Sequence, residues 1–172
     1  ISWTTRTSGT TKYLRGVTYG NGLFLAVGES GTILTSSDGI TWTSRTSGTS
    51  DLLKGITYGN GRFVTVGLNR TIHTSSDGVT WTERTSGTSK VLYEVTYGKG
   101  TFVVVGLIGL ILTSSNGTTW TSRTTDTSNS FYGVNYGNNT FVAVGNSGII
   151  LTSSDGTTWD NRTSGTTQNL HD

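Results

Sequence analysis

Trp3, Trp42, Trp81, Trp120 and Trp159 stand 39 residues apart, and the rest of the chain keeps the same step. Tyr19, Tyr58, Tyr97 and Tyr136 follow it. So do Phe24, Phe63, Phe102 and Phe141, and Arg6, Arg45, Arg84, Arg123 and Arg162. A fixed period of this length means one supersecondary unit copied in tandem, each copy burying its apolar face against the next, as in a propeller or a solenoid.

Within a period the pattern predicts four short strands. In the first copy they are "RGVTYG", "LFLAVG", "GTILTSS" and "TWTSRTS", joined by "YGNG", "GESG", "SSDG" and "TSGT". Asn-Gly and Asp-Gly supply the positive φ angles that tight hairpin turns require. The chain has no Pro to interrupt a strand. The second strand is apolar on both faces, with Leu25 and Val27 on one and Phe24 and Ala26 on the other, so it belongs inside a stack of sheets. The third is similar, with Ile33 and Leu34. The fourth is half polar, with Thr43 and Arg45 on one face, and suits a wet outer edge. Four-stranded sheets stacked face on face, buried inside and wet outside, describe the blades of a β-propeller, an all-β fold.

The composition agrees with this reading. Only 31% of residues are hydrophobic and 25 are Gly, but aromatics reach 10% and the apolar residues are strictly placed, which separates the chain from disordered ones. Net charge is +2 with no basic cluster, so nothing points to nucleic acid. No apolar run is long enough to span a membrane. There is no Cys and hence no disulfide framework or thiolate metal site, and no Met at position 1, so a processed chain or a piece of a longer one is expected.

The eight residues "TSSDGITW" return as "TSSDGVTW", "TSSNGTTW" and "TSSDGTTW". This repeat resembles the Asp-box (BNR-like) motif of sialidase-type propellers, one residue shorter because Asp38 and Gly39 are adjacent. The 39-residue unit is also similar to tandem propeller repeats of secreted bacterial and phage tail-associated proteins, and the likeness covers essentially the whole chain. The resemblance implies a turn between third and fourth strands in which Asp38, Asp77, Asn116 and Asp155 accept main-chain hydrogen bonds, while Trp42, Trp81, Trp120 and Trp159 pack between blades. Asn116 in the third copy argues against a charge-dependent role. The repeated motif therefore reads as frame.

A binding site is then sought where the copies differ. The first–second turns and the third–fourth turns share one propeller face and are nearly invariant. The opposite face carries the second–third turns "GESGT", "GLNRT", "GLIGL" and "GNSGI", and the blade connections "TKYLR", "SDLLK", "SKVLY" and "SNSFY". Loops that vary on a rigid scaffold are where binding usually sits. This face presents Lys12, Tyr13, Arg15, Glu29, Asp51, Lys54, Asn69, Arg70, Lys90, Tyr93, Asn129, Tyr132 and Asn146, with an apolar patch of Leu68, Leu107, Ile108 and Leu110. Two readings stand side by side: a protein or sugar surface, or variation in solvent-facing loops with Leu110 in the strand core.

Catalysis finds little support. His73 takes a slot where the other copies have Leu34, Leu112 and Leu151, and reads as a half-buried, hydrogen-bonded imidazole. Ser and Thr lack a paired His–acid set, and no phosphate loop, cofactor motif or metal-ligand spacing is present. The resemblance would demand of a sialidase an arginine cluster and a tyrosine nucleophile with its glutamate, whereas the repeated Arg residues are spread one per copy. Four glycosylation sequons, at Asn69, Asn116, Asn138 and Asn161, are those expected by chance in Thr-rich turns.

The expectation is one propeller domain over 1–172, with repeats at 3–41, 42–80, 81–119 and 120–158 and a partial fifth at 159–172. Its function is expected to be a non-enzymatic scaffold for protein interaction or assembly, outside the cell or on a virion, with no metal or cofactor. A multivalent lectin is the alternative, and a glycosidase-like enzyme comes third. Residues 1–16 recur as 157–172, giving five Trp segments but four sets of the inner strands. Both ends would claim one outer-strand place, so self-association or a protein partner is expected, with a glycan also considered.

Overall fold

In the computed structural model, which describes residues 2–171, every copy folds as a four-stranded antiparallel sheet whose strands follow in sequence order. The first sheet holds β1 (Leu14–Gly20), β2 (Leu23–Gly28), β3 (Ile33–Ser36) and β4 (Thr43–Arg45). The second holds β5 (Leu53–Gly59), β6 (Arg62–Gly67), β7 (Ile72–Ser75) and β8 (Thr82–Glu83). The third holds β9 (Leu92–Gly98), β10 (Thr101–Gly106), β11 (Ile111–Ser114) and β12 (Thr121–Arg123). The fourth holds β13 (Phe131–Gly137), β14 (Thr140–Gly145), β15 (Ile150–Ser153) and β16 (Asp160–Arg162). These are the blades of a β-propeller, as the strand pattern predicts.

Turn chemistry sets the hairpins. Asn21 and Gly22 both have positive φ, at 49° and 77°, the two-residue geometry that matches strand twist. In the Asp38–Gly39 turn only the glycine does, at 70°. There Asp38 Oδ1 accepts N–H bonds from Ile40 and Thr41 at 2.8 and 2.9 Å, while Ser36 Oγ accepts one from Gly39 at 2.9 Å. Asp77, Asn116 and Asp155 hold the same places. These bonds favour the ionised form and keep all three aspartates below the usual carboxylate range, Thr41, Thr80 and Thr158 N–H contributing most. The repeated arginine is equally structural: Arg45 Nε donates to Thr35 Oγ1 at 2.9 Å, tying outer to third strand, and Arg84, Arg123 and Arg162 repeat the bond.

The core lies at the joints between successive blades. Leu25, Val27 and Ile33 of the first blade cluster with Leu53, Ile56 and Phe63 of the second, with Trp81 packed at the margin. The next two joints repeat this, with Trp120 and Trp159 half-buried against Phe102 and Phe141. Trp42 departs from the expectation of a tryptophan packed between blades: it is half-buried, but it belongs to none of these joint clusters, because no blade precedes the first. Trp3 is 97% exposed, and residues 2–13 form no strand. The C-terminal copy of the duplicated segment takes the outer-strand place as β16.

Inner strands pack in order, β1 on β5, β5 on β9 and β9 on β13, and no comparable contact joins β13 to β1. Burial records the difference. Ile56, Val95 and Val134 are buried, while their counterpart Val17 is 69% exposed. The four blades thus form an arc with two end faces.

Candidate functional site

Each inner strand opens with a β-bulge. Leu14 pairs with Gly28 and Gly16 with Val27, leaving Arg15 as the extra residue. The same irregularity singles out Lys54, Tyr93 and Tyr132. A bulge re-aims the side chain it carries, and bulges recur beside functional sites. Here the four bulged residues fall one per blade along a single line. Lys54 Nζ sits 4.5 Å from the centroid of the Tyr93 ring. Tyr93 meets Tyr132 edge-on at 5.3 Å, and Tyr132 stacks on His171 at 4.8 Å and 7°. His171 is the same position in the partial fifth repeat. The result is a continuous row of two cations, two phenols and an imidazole, exposed at its Arg15 and His171 ends and half-buried between.

At its Arg15 end the row meets a groove of 340 Å³ between the inner strands of all four blades. Arg15, Thr18, Thr57, Glu94, Thr96 and Asn135 give it a polar lining, joined by the exposed Val17 and the buried Ile56, Val95 and Val134. Glu94 stands where the other blades have Gly16, Gly55 and Gly133. Burial, then the nearby Arg15 charge, holds the Lys54 ammonium below its ordinary pKa, and the Glu94 carboxylate opposes the shift. Burial, then Tyr132, pushes the Tyr93 phenol up.

The other sequence-expected residues divide. Tyr13 is 71% exposed, with Arg15 lying over its ring at 5.7 Å. Glu29 pairs loosely with Arg15 at 3.7 Å and accepts from Tyr13 N–H. Asp51 is spent inside the fold: it accepts from Asn69 Nδ2 at 2.6 Å and Thr71 Oγ1 at 2.8 Å, and these bonds, Thr71 first, lower its pKa. Asn146 accepts from the Tyr132 hydroxyl, and Lys90 Nζ donates to the Ile108 carbonyl at 2.8 Å. The Asn129 carbonyl accepts from Gly109 N–H. Lys12, Arg70 and Ile108 are exposed, Leu68 and Leu107 half-buried, and Leu110 is core.

Sequence reasoning missed the row as a unit, although its positions are 39 apart at 15, 54, 93, 132 and 171. Its residue types differ, so identity between copies hides it. His73 needs correction. Expected half-buried and hydrogen-bonded, it is buried, and its Nδ1 has no partner among the described residues. Burial holds its pKa below the ordinary 6.5, against the attraction of Glu83 and Asp51. Its neighbours in register, Thr65 and Glu83, leave the ring in a slot shaped for leucine. Among the described residues no three His, Asp or Glu side chains converge on a metal-sized site.

A second feature repeats outside the row. Between the second–third turn and the segment after the outer strand lies a shallow hollow, lined by Arg45, Ser47, Gly48 and Thr49 in the first blade. Arg84, Ser86, Gly87 and Thr88 line it in the second, and Arg162, Ser164, Gly165 and Thr166 in the fourth. No aromatic ring faces any of them.

No protein-family model and no curated protein matches the chain. Among solved structures it is similar to YCF48 bound to D1 peptide, with TM-score 0.72 and 21% identity over 95% of this chain and 57% of that one. YCF48 from Cyanidioschyzon merolae follows at 0.68 and 18%, over 90% and 58%. The computationally designed Ika4 protein matches at 0.71 and 13%, over 90% and 99%. The chain thus spans somewhat over half of the YCF48 chains. At these identities the likeness establishes the propeller fold.

Proposed function

We propose that the protein is a non-enzymatic scaffold that holds an extended segment of another protein across the starts of its inner strands. The observation that carries this reading is the row Arg15, Lys54, Tyr93, Tyr132 and His171, which meets the axial groove at its Arg15 end. Its two cations suit a carboxylate, and the adjoining phenol and imidazole rings suit an aromatic or apolar side chain. A segment with an acidic residue followed by an aromatic one fits that order. The peptide bound by YCF48, a propeller of the same fold, supports a peptide as ligand. The Asp-box character of the repeats and a setting outside the cell or on a virion belong to this proposal, and rest on the resemblance of the repeat.

Anisotropy titration with a library of acidic–aromatic peptides tests it. Tyr93→Ala and Lys54→Ala should each weaken the best peptide at least about tenfold, with melting unchanged. If no peptide binds, or if both variants bind as the parent does, the reading fails. The multivalent lectin is the second reading, favoured by the hollow that recurs in three blades. Binding on a glycan array that Ser47→Trp or Ser86→Trp abolishes, and Tyr93→Ala spares, would support it instead.

A further inference from the structure

The three joints inside the arc are copies of one another, and each has three parts. A tyrosine ring of the later blade lies on a glycine of the earlier one. A Cβ on Gly20, Gly59 or Gly98 would fall 2.1, 2.0 or 2.1 Å from the ring of Tyr58, Tyr97 or Tyr136. An aliphatic residue of the earlier blade packs on the turn glycine of the later one: Leu25 on Gly78, Val64 on Gly117, Val103 on Gly156. A polar side chain of the earlier blade donates to a turn carbonyl of the later one: Asn21 to Ser76 at 3.5 Å, Asn60 to Ser115 at 3.1 Å, Lys99 to Ser154 at 3.2 Å.

The end faces carry the two halves of this joint. The fourth blade presents Gly137, with nothing near its missing Cβ, together with Asn138 and Val142, the latter 37% exposed where Leu25, Val64 and Val103 are fully buried. The first blade presents Tyr19, 60% exposed, Gly39, which only its own Phe24 approaches, and the Ser37 carbonyl. Each half is complete, and each is what the other faces at every internal joint. Exposed aromatic and aliphatic groups in this arrangement form a surface with a known complement.

The geometry points to a head-to-tail joint between two copies of this chain, in which Tyr19 of one copy lies on Gly137 of the other, Val142 packs on Gly39 and Asn138 donates to Ser37. The contact is heterologous, so two copies close into a ring or successive copies run on. The duplicated ends define its one adjustment. Residues 163–169 already fold onto the fourth blade's second–third turn, where Ser147 N–H donates to Asn169. The incoming copy's residues 2–12 therefore stay outside. Its Leu14 and Arg15 take the places of Leu170 and His171, which continues the row on the variable face with an arginine beside Tyr132.

Light scattering and sedimentation over a concentration series test this on the 172-residue chain. Association is expected in the parent. Tyr19→Asp and Gly137→Arg, both at exposed positions, should each weaken it at least about tenfold with the melting temperature held. A mixture of the two variants should restore a dimer, because each keeps one intact half. Deleting residues 1–10 should leave association in place. A parent that is monomeric throughout overturns the proposal, as do single variants that associate like the parent. A mixture that stays monomeric overturns it too, and so does loss of association on deleting residues 1–10, which would indicate strand exchange through Trp3.

Discussion

The second residue of every inner strand varies among the blades, and the strand ends on a Tyr–Gly pair that does not. The bulged second residues are Arg15, Lys54, Tyr93 and Tyr132; the ends are Tyr19–Gly20, Tyr58–Gly59, Tyr97–Gly98 and Tyr136–Gly137. The cause is contact. At Gly20, Gly59 and Gly98 the neighbouring blade's tyrosine ring lies where a side chain would be, so only glycine fits there. Near the start a bulge lifts the side chain out of the ladder into the row, where its neighbours are the other bulged side chains, which differ in type from blade to blade. Within seven residues one strand is frame at one end and candidate site at the other.

The largest expected effect breaks the frame end. Gly59→Val drives a side chain into the Tyr97 ring and should cost about 3 kcal/mol, read as a large fall in melting temperature. Gly137→Val, at the same position with no ring opposite, should cost little. Equal losses would show that the backbone at this position, and not the neighbouring ring, demands glycine.

A smaller effect belongs to the turns on the frame face. Asp77→Ala removes the acceptor of the Val79 and Thr80 N–H groups and should cost about 1 kcal/mol in denaturant titration. Asn116→Ala should cost about the same, because the turn needs an oxygen and not a charge. The aspartate turns differ from the asparagine turn in acid. Their folded pKa lies below the unfolded value, so their contribution is complete at neutral pH and is lost as pH falls through and below about 4. Asp77→Asn should remove its share of that acid loss; an unchanged acid limb would mean the carboxylate bonds do not differ between folded and unfolded chain.

His73 tests a core position that breaks the pattern. Its folded pKa lies below 6.5, so the unfolded chain binds the proton more readily, and stability falls as pH drops below 6.5. His73→Leu, the residue of the other three blades, should raise stability by about 1 kcal/mol at pH 7 and flatten that slope. A variant that is less stable than the parent would show that the imidazole has a partner in solution. The smallest effect is expected on the variable face. Leu107→Ser with Ile108→Ser should change stability by about 0.5 kcal/mol or less, since Ile108 is 56% exposed in its turn. A loss several times larger would move both residues into the core.

Strand number, strand order and hairpin turns were legible because they are local. Period-2 patterning, Asn-Gly pairs and the doubly apolar second strand act over a few residues and are repeated, so each copy checks the others. The arginine–threonine tie between outer and third strands was visible only as a repeated Arg, since its partner lies ten residues away across a ladder. The candidate site was legible as a list and not as a place. Arg15, Lys54, Tyr93 and Tyr132 came with Asp51, Asn69, Asn146 and Lys90, whose polar groups the fold consumes in its own loops. His171 was overlooked because a terminal residue acquires meaning only when a row reaches it.

By itself the sequence pointed to a stack of four like blades, because a 39-residue repeat of four short strands, with the second apolar on both faces, buries those faces by packing copy against copy. It also determined that the repeated turn is frame. Only the tertiary structure decided which side chains share a line and which ends of the arc stay uncovered. A row and an end face are formed by residues 39 or more positions apart, and their contacts depend on how far each blade turns from the last. That turn is set by rings seated on glycines at the joints, a distance between blades that no stretch of sequence within one blade contains.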